Sequence, residues 1–152
     1  MTRLRLISRP LLRELRTAAD VRRRRVALAA CEYAVTRTAL RSPLIDQALN
    51  GLRESNREAL PASTQLESLK EQFDREYADL YERYGDADES KWRGAFCKMV
   101  AAEAVLYACH EDSLTAGTES AFNAFVIEKN LDGADAAGVQ HLLEMALSSS
   151  AG

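Results

Sequence analysis

Thr64-Gln-Leu-Glu-Ser-Leu-Lys-Glu-Gln-Phe-Asp-Arg-Glu-Tyr-Ala-Asp-Leu-Tyr-Glu-Arg-Tyr84 is the stretch on which the fold reading turns. Leu66, Leu69, Phe73, Tyr77, Leu80 and Tyr84 recur at steps of three or four. At about 100° per residue those steps keep the apolar side chains on one helical stripe. Thr64 and Glu67 have the spacing of a capping box, and Gly85 supplies a terminator. If Phe73 is fully buried in that stripe, Phe73→Ala should cost about 3–5 kcal/mol.

Downstream, the polar turn Asp86-Ala87-Asp88-Glu89 leads to Ser90 as the cap of a helix reaching His110. Its apolar stripe is Trp92, Phe96, Met99, Glu103, Leu106 and His110. Leu114, Ala121, Phe122 and Phe125 mark another helix, ending between Asn130 and Gly133. Asp135 is placed to cap the last one, with Val139, Leu142, Leu143, Ala146 and Leu147 inward, before a frayed tail over 148–152.

Upstream, Ser42-Pro43 opens a short helix carrying Leu44, Ile45, Ala48 and Leu49, which Asn50-Gly51 is expected to end. Asp20 opens a segment running to about Leu40, with Val21, Leu28, Cys31, Val35 and Thr38 along one side. Ala27, Ala29, Ala30, Ala34 and Ala39 keep much of its remaining surface small, so other helices can approach closely. Ser8 and Pro10 start a first helix, and residues 1–19 read as a basic amphipathic element docked on the rest. Ala, Leu, Arg, Glu and Lys make up 79 of 152 residues, against 17 β-branched Val, Ile and Thr, a balance that favours helix. The expected fold is all-α: a single domain over residues 1–152, a compact bundle of six or seven helices built on those near 20–40, 64–84 and 90–110.

No apolar run approaches the ~20 residues of a membrane span. The three cysteines, Cys31, Cys97 and Cys109, form no short-spaced pair, which suits free thiols in a cytoplasmic protein. The opening residues lack the apolar core of a secretory signal. Nine arginines in the first 25 positions leave a mitochondrial address as the alternative. No spacing characteristic of a metal site, a phosphate loop or a nucleophile elbow occurs, so neither metal nor cofactor is expected.

Charge is divided along the chain. Residues 1–57 hold 13 basic and 5 acidic side chains, and residues 58–152 hold 7 and 18. Arg22, Arg23, Arg24 and Arg25 form a run that four helical steps spread through about 300°, so they cannot all face one partner. They also lie at a helix start, where the macrodipole favours acid. As a binding feature they suit an anion; as a structural one, a solvated collar or pairing with the acidic half. The basic half contains one aromatic, Tyr33, which counts against a nucleic-acid binder.

Tyr81, Tyr84 and Trp92 cluster at a helix end and the following turn, as core edge or as a contact patch. Glu103 and His110 fall on one apolar stripe two turns apart, roughly 10 Å, too far to bond directly. They are candidates for acid–base chemistry or for buried polar groups met by neighbouring helices. By elimination, the sequence suggests a non-enzymatic interaction or regulatory protein, such as an immunity- or antitoxin-type binder. Its acidic 67–89 face would meet a basic protein partner, or a second copy of the chain. The alternatives are binding of nucleic acid or an anionic membrane through the N-terminal arginines, and an enzyme using Glu103 and His110.

Overall fold

The computed structural model describes residues 3–132 and 137–149. The expected cap at Asp135, and the end of the tail at 150–152, lie outside the described residues. Among the described residues, seven α-helices follow a 3-10 turn at Arg3–Leu6: α1 Arg9–Thr17, α2 Asp20–Thr38, α3 Pro43–Arg53, α4 Ser63–Tyr84, α5 Arg93–Ala108, α6 Ser113–Asp132 and α7 Ala137–Ser148. Short 3-10 turns lie before α4 and between α4 and α5, and no strand occurs among the described residues. The chain is a single-domain all-α bundle.

Local chemistry sets most of the helix ends. Ser8 accepts a hydrogen bond from the Leu11 N–H and Ser42 one from the Leu44 N–H, each with proline at the first or second helical position. Asp112 accepts from the Thr115 N–H and caps α6. At α7 the Val139 N–H is taken from outside, by the buried carboxylate of Glu128 on α6 at 2.9 Å.

Three expected ends differ. α4 begins at Ser63, not Thr64, and its box runs backward from Gln65, whose Oε1 accepts from the Ala62 N–H. Ser90 does not cap α5: it lies in the 3-10 turn Glu89–Lys91, and α5 starts at Arg93 behind Trp92. Asn50-Gly51 does not end α3, which continues to Arg53 before Ser55 takes the positive φ. Gly51 is buried there, and a Cβ would stand 2.7 Å from Leu60 Cδ2, so its role is close approach rather than termination.

Packing rearranges the expected hierarchy. α2 touches α3, α5, α6 and α7, while α5 touches α2, α3, α4 and α6. The buried face of α2 is Val26, Ala27, Ala30, Cys31 and Ala34, not the line through Val21, which is 62% exposed. Its alanines are therefore the contact surface. At the crossing of α6 with α2, a Cβ on Gly117 would come within 3.2 Å of the Arg23 carbonyl oxygen.

α6 is buried on nearly every side, including Thr118, Ser120 and Asn123. Ser120 donates to the Ala104 carbonyl and Asn123 to that of Val100, so these polar groups enter the core satisfied. α4, by contrast, packs on α5 and only lightly on α3. Leu66 is its one fully buried side chain; Leu69, Phe73, Tyr77, Leu80 and Tyr84 are half-buried. The helix with the clearest stripe forms the outer arm of the bundle, and α2, α5 and α6 form its centre.

Candidate functional site

The arginine run does not converge on a surface. Arg23 donates from Nε to the Leu15 carbonyl at 2.9 Å and from Nη2 to that of Arg16 at 2.8 Å, at the end of α1. Arg24 donates to the carbonyls of Ala108, His110 and Glu111, at the end of α5. Arg25 donates to the Ser149 carbonyl, just past α7. Three successive side chains, turned about 100° apart, thus reach the C-termini of three different helices.

Those ends carry orphan carbonyls and the negative pole of the helix dipole, which is where a guanidinium is favoured. The run is tolerated at the start of α2 because its charges are delivered elsewhere. Burial, and then the nearby Arg57, hold the Arg24 guanidinium below its ordinary value. Arg57 in turn donates to the Cys109 carbonyl at 3.0 Å. Arg22 stays exposed, beside a shallow hollow that Glu14 and Glu144 also line.

Glu103 and His110 do line one groove, of about 710 Å³, between the start of α4 and the end of α5. Arg57, Lys70, Glu71 and Tyr107 share its walls. Neither group is idle. Glu103 Oε1 accepts from Asn123 Nδ2 at 3.1 Å and from Arg3 at 3.5 Å, while Oε2 stands 3.7 Å from Lys70 Nζ. His110 is exposed beyond the end of α5, and its Nδ1 accepts from the Asp112 N–H at 3.0 Å. The two do not act on each other.

Sequence reasoning missed the centre of this network. Arg3 donates to Glu119 Oε2 from both Nε and Nη2, at 2.8 and 2.6 Å, and lies 4.4 Å from the centre of the Phe122 ring. Burial pulls its guanidinium down, but the hydrogen bond and charge of Glu119, with Glu103 behind, outweigh that and raise it. The pair spans 116 positions of sequence, and no local pattern joins its members.

The aromatic contacts join Tyr77, Tyr81, Trp92 and Phe96, and Tyr84 stands outside them. Tyr77 lies 5.2 Å from Phe96 and 5.6 Å from Trp92, and Tyr81 lies 5.4 Å from Trp92, all centroid to centroid in tilted or edge-on pairs. Trp92 Nε1 donates to the Gly85 carbonyl at 2.8 Å, which closes the turn between α4 and α5. The Tyr81 hydroxyl donates to Asp86, whose charge and hydrogen bond raise the phenol above its usual range. Tyr81 remains 40% exposed, and Tyr84 lies beneath the Lys91 ammonium at 5.6 Å. The arm thus has aromatic side chains at its tip, and nine acidic against three basic side chains from Glu67 to Glu89.

No helix among the described residues is long and apolar enough to cross a membrane. No group of three or more His, Cys, Asp or Glu residues among them could hold a metal ion. Comparison of the chain with protein-family models, with curated proteins and with solved structures gives no match. The helices and their contacts define a single-domain helical bundle.

Proposed function

We propose that this chain is a non-enzymatic helical binding module whose α4–α5 arm takes a basic protein partner. The observation that carries the reading is the one-sided packing of α4. A regular apolar stripe meets one main neighbour, stays half-buried along most of its length, and is bordered by acid. Exposed Tyr and Trp are enriched at protein-binding surfaces. The acidic excess of the arm supplies steering toward a cationic surface. An immunity- or antitoxin-type role, with a basic toxin as the partner, is one concrete form.

The groove supports this reading more than an enzymatic one. Both oxygens of Glu103 are engaged by Arg3, Asn123 and Lys70, and the His110 Nδ1 is engaged by its own turn. These contacts give both side chains a structural role in the fold.

A photo-crosslinking side chain placed at exposed Ala78 tests the proposal in cells, with the same probe at exposed Thr36 on α2 as control. The expected product is a defined adduct with a basic protein from position 78 alone, lost on charge reversal by D74K, D79K and E82K. Absence of an adduct at 78, or identical adducts from both positions, would overturn the assignment.

A further inference from the structure

The N-terminal turn presents a second surface, on residues outside the α4–α5 arm. Leu6 is 74% exposed and Ile7 42% exposed, although the turn carrying them is firmly seated. Leu4 is fully buried, Arg3 is bound to Glu119, and Ser8 is buried as the α1 cap. The backbone therefore holds two aliphatic side chains out into solvent.

Basic residues flank them in sequence. Arg5 precedes the pair, and Arg9, Arg13 and Arg16 follow at helical spacing on the outer face of α1, all exposed. The opposite face, Leu11, Leu12 and Leu15, is spent on the core. Glu14 is the single acid between Arg3 and Thr17, and the segment contains no aromatic residue.

We propose that this surface docks on an anionic lipid bilayer, with Leu6 and Ile7 entering the headgroup boundary and the arginines meeting lipid phosphates. Charge complementarity selects an anionic partner. The exposed aliphatics select a bilayer over nucleic acid, because a polyphosphate groove offers them no apolar phase and single strands are held by aromatic stacking. α1 cannot insert as a whole, since its apolar face is already buried in protein. Docking is peripheral, reversible and salt-sensitive.

Co-sedimentation of the full chain with vesicles tests this. With about 30% phosphatidylserine in phosphatidylcholine at low ionic strength, the protein is expected in the pellet. With phosphatidylcholine alone, or in about 0.5 M salt, it is expected in the supernatant. The double variant L6S/I7S, which changes only exposed side chains, should lower the bound fraction several-fold, and R9E/R13E should abolish binding. Failure to sediment with anionic vesicles would overturn the proposal, as would equal binding to neutral ones. Unchanged binding by L6S/I7S, together with retention of a DNA duplex, would reassign the surface to polyanions.

Discussion

At the scale of single residues, the arginines show how a feature that looks functional in sequence becomes structural in three dimensions. Arg24 serves three carbonyls at the end of α5. Arg24→Ala should destabilise the fold by about 1.5–3 kcal/mol in urea unfolding, the range for hydrogen bonds to a charged group. Arg24→Lys should recover only part of that, because an ammonium lacks the planar fork that spans several acceptors. Asp112 gives a pH-dependent case. Hydrogen bonds from Thr115 hold its carboxyl below its usual value, so its contribution is complete above the unfolded value of about 3.9 and lost as pH falls through the folded one. Asp112→Asn, which can still accept the capping bond, should shrink the acid-induced fall in Tm between about pH 5 and pH 2, while Asp112→Ala lowers Tm near neutral pH.

At the scale of elements, a clean amphipathic stripe and a central position are opposites here. α4 has the stripe and lies outside; α5 lies inside with α6. The sealed residues of α5 include Ala95, Cys97, Val100, Ala101, Ala104, Val105 and Ala108. The stripe expected there, from Trp92 to His110, is half-buried or exposed. A helix with one neighbour needs only one apolar face, whereas a helix surrounded by others buries small and polar residues around its whole circumference. The expectation of a 3–5 kcal/mol loss for Phe73→Ala rested on full burial, and Phe73 is half-buried. The expected loss is therefore about 1–2 kcal/mol, against about 3 kcal/mol for Leu66→Ala, where the side chain is 1% exposed. Equilibrium unfolding of the two variants side by side checks the ordering.

At the scale of the molecule, two clusters share α2 and α6. One joins them to α3, α4 and α5 through Ile45, Leu49, Leu66 and Val105; the other joins them to the N-terminal turn, α1 and α7 through Leu4, Leu15, Leu143 and Leu147. Cys31 and Cys109 report on closure of the first. Burial pushes the thiols of Cys97 and Cys109 up to about 11, and that of Cys31, which donates to the Ala104 carbonyl, further still. Cys109 is half-buried, whereas Cys31 and Cys97 are sealed. Native protein at neutral pH should alkylate slowly and at Cys109 first, with Cys31 and Cys97 labelling only after unfolding, as read by peptide mass spectrometry. Rapid native labelling of Cys31 would mean that the α2–α5 contact opens.

The sequence by itself determined the helical class, the caps at Ser8 and Ser42 and the end at Gly85. Each depends on neighbours a few positions away, because a helix bonds residue to residue within one turn. Only the tertiary structure decided that α6 is central, that alanines form the buried face of α2, that Arg23, Arg24 and Arg25 serve three helix ends, and that Glu103 is held by Arg3, Lys70 and Asn123. Small-residue contacts and polar satisfaction depend on partners brought together from distant positions, and the period of a single helix carries no record of them.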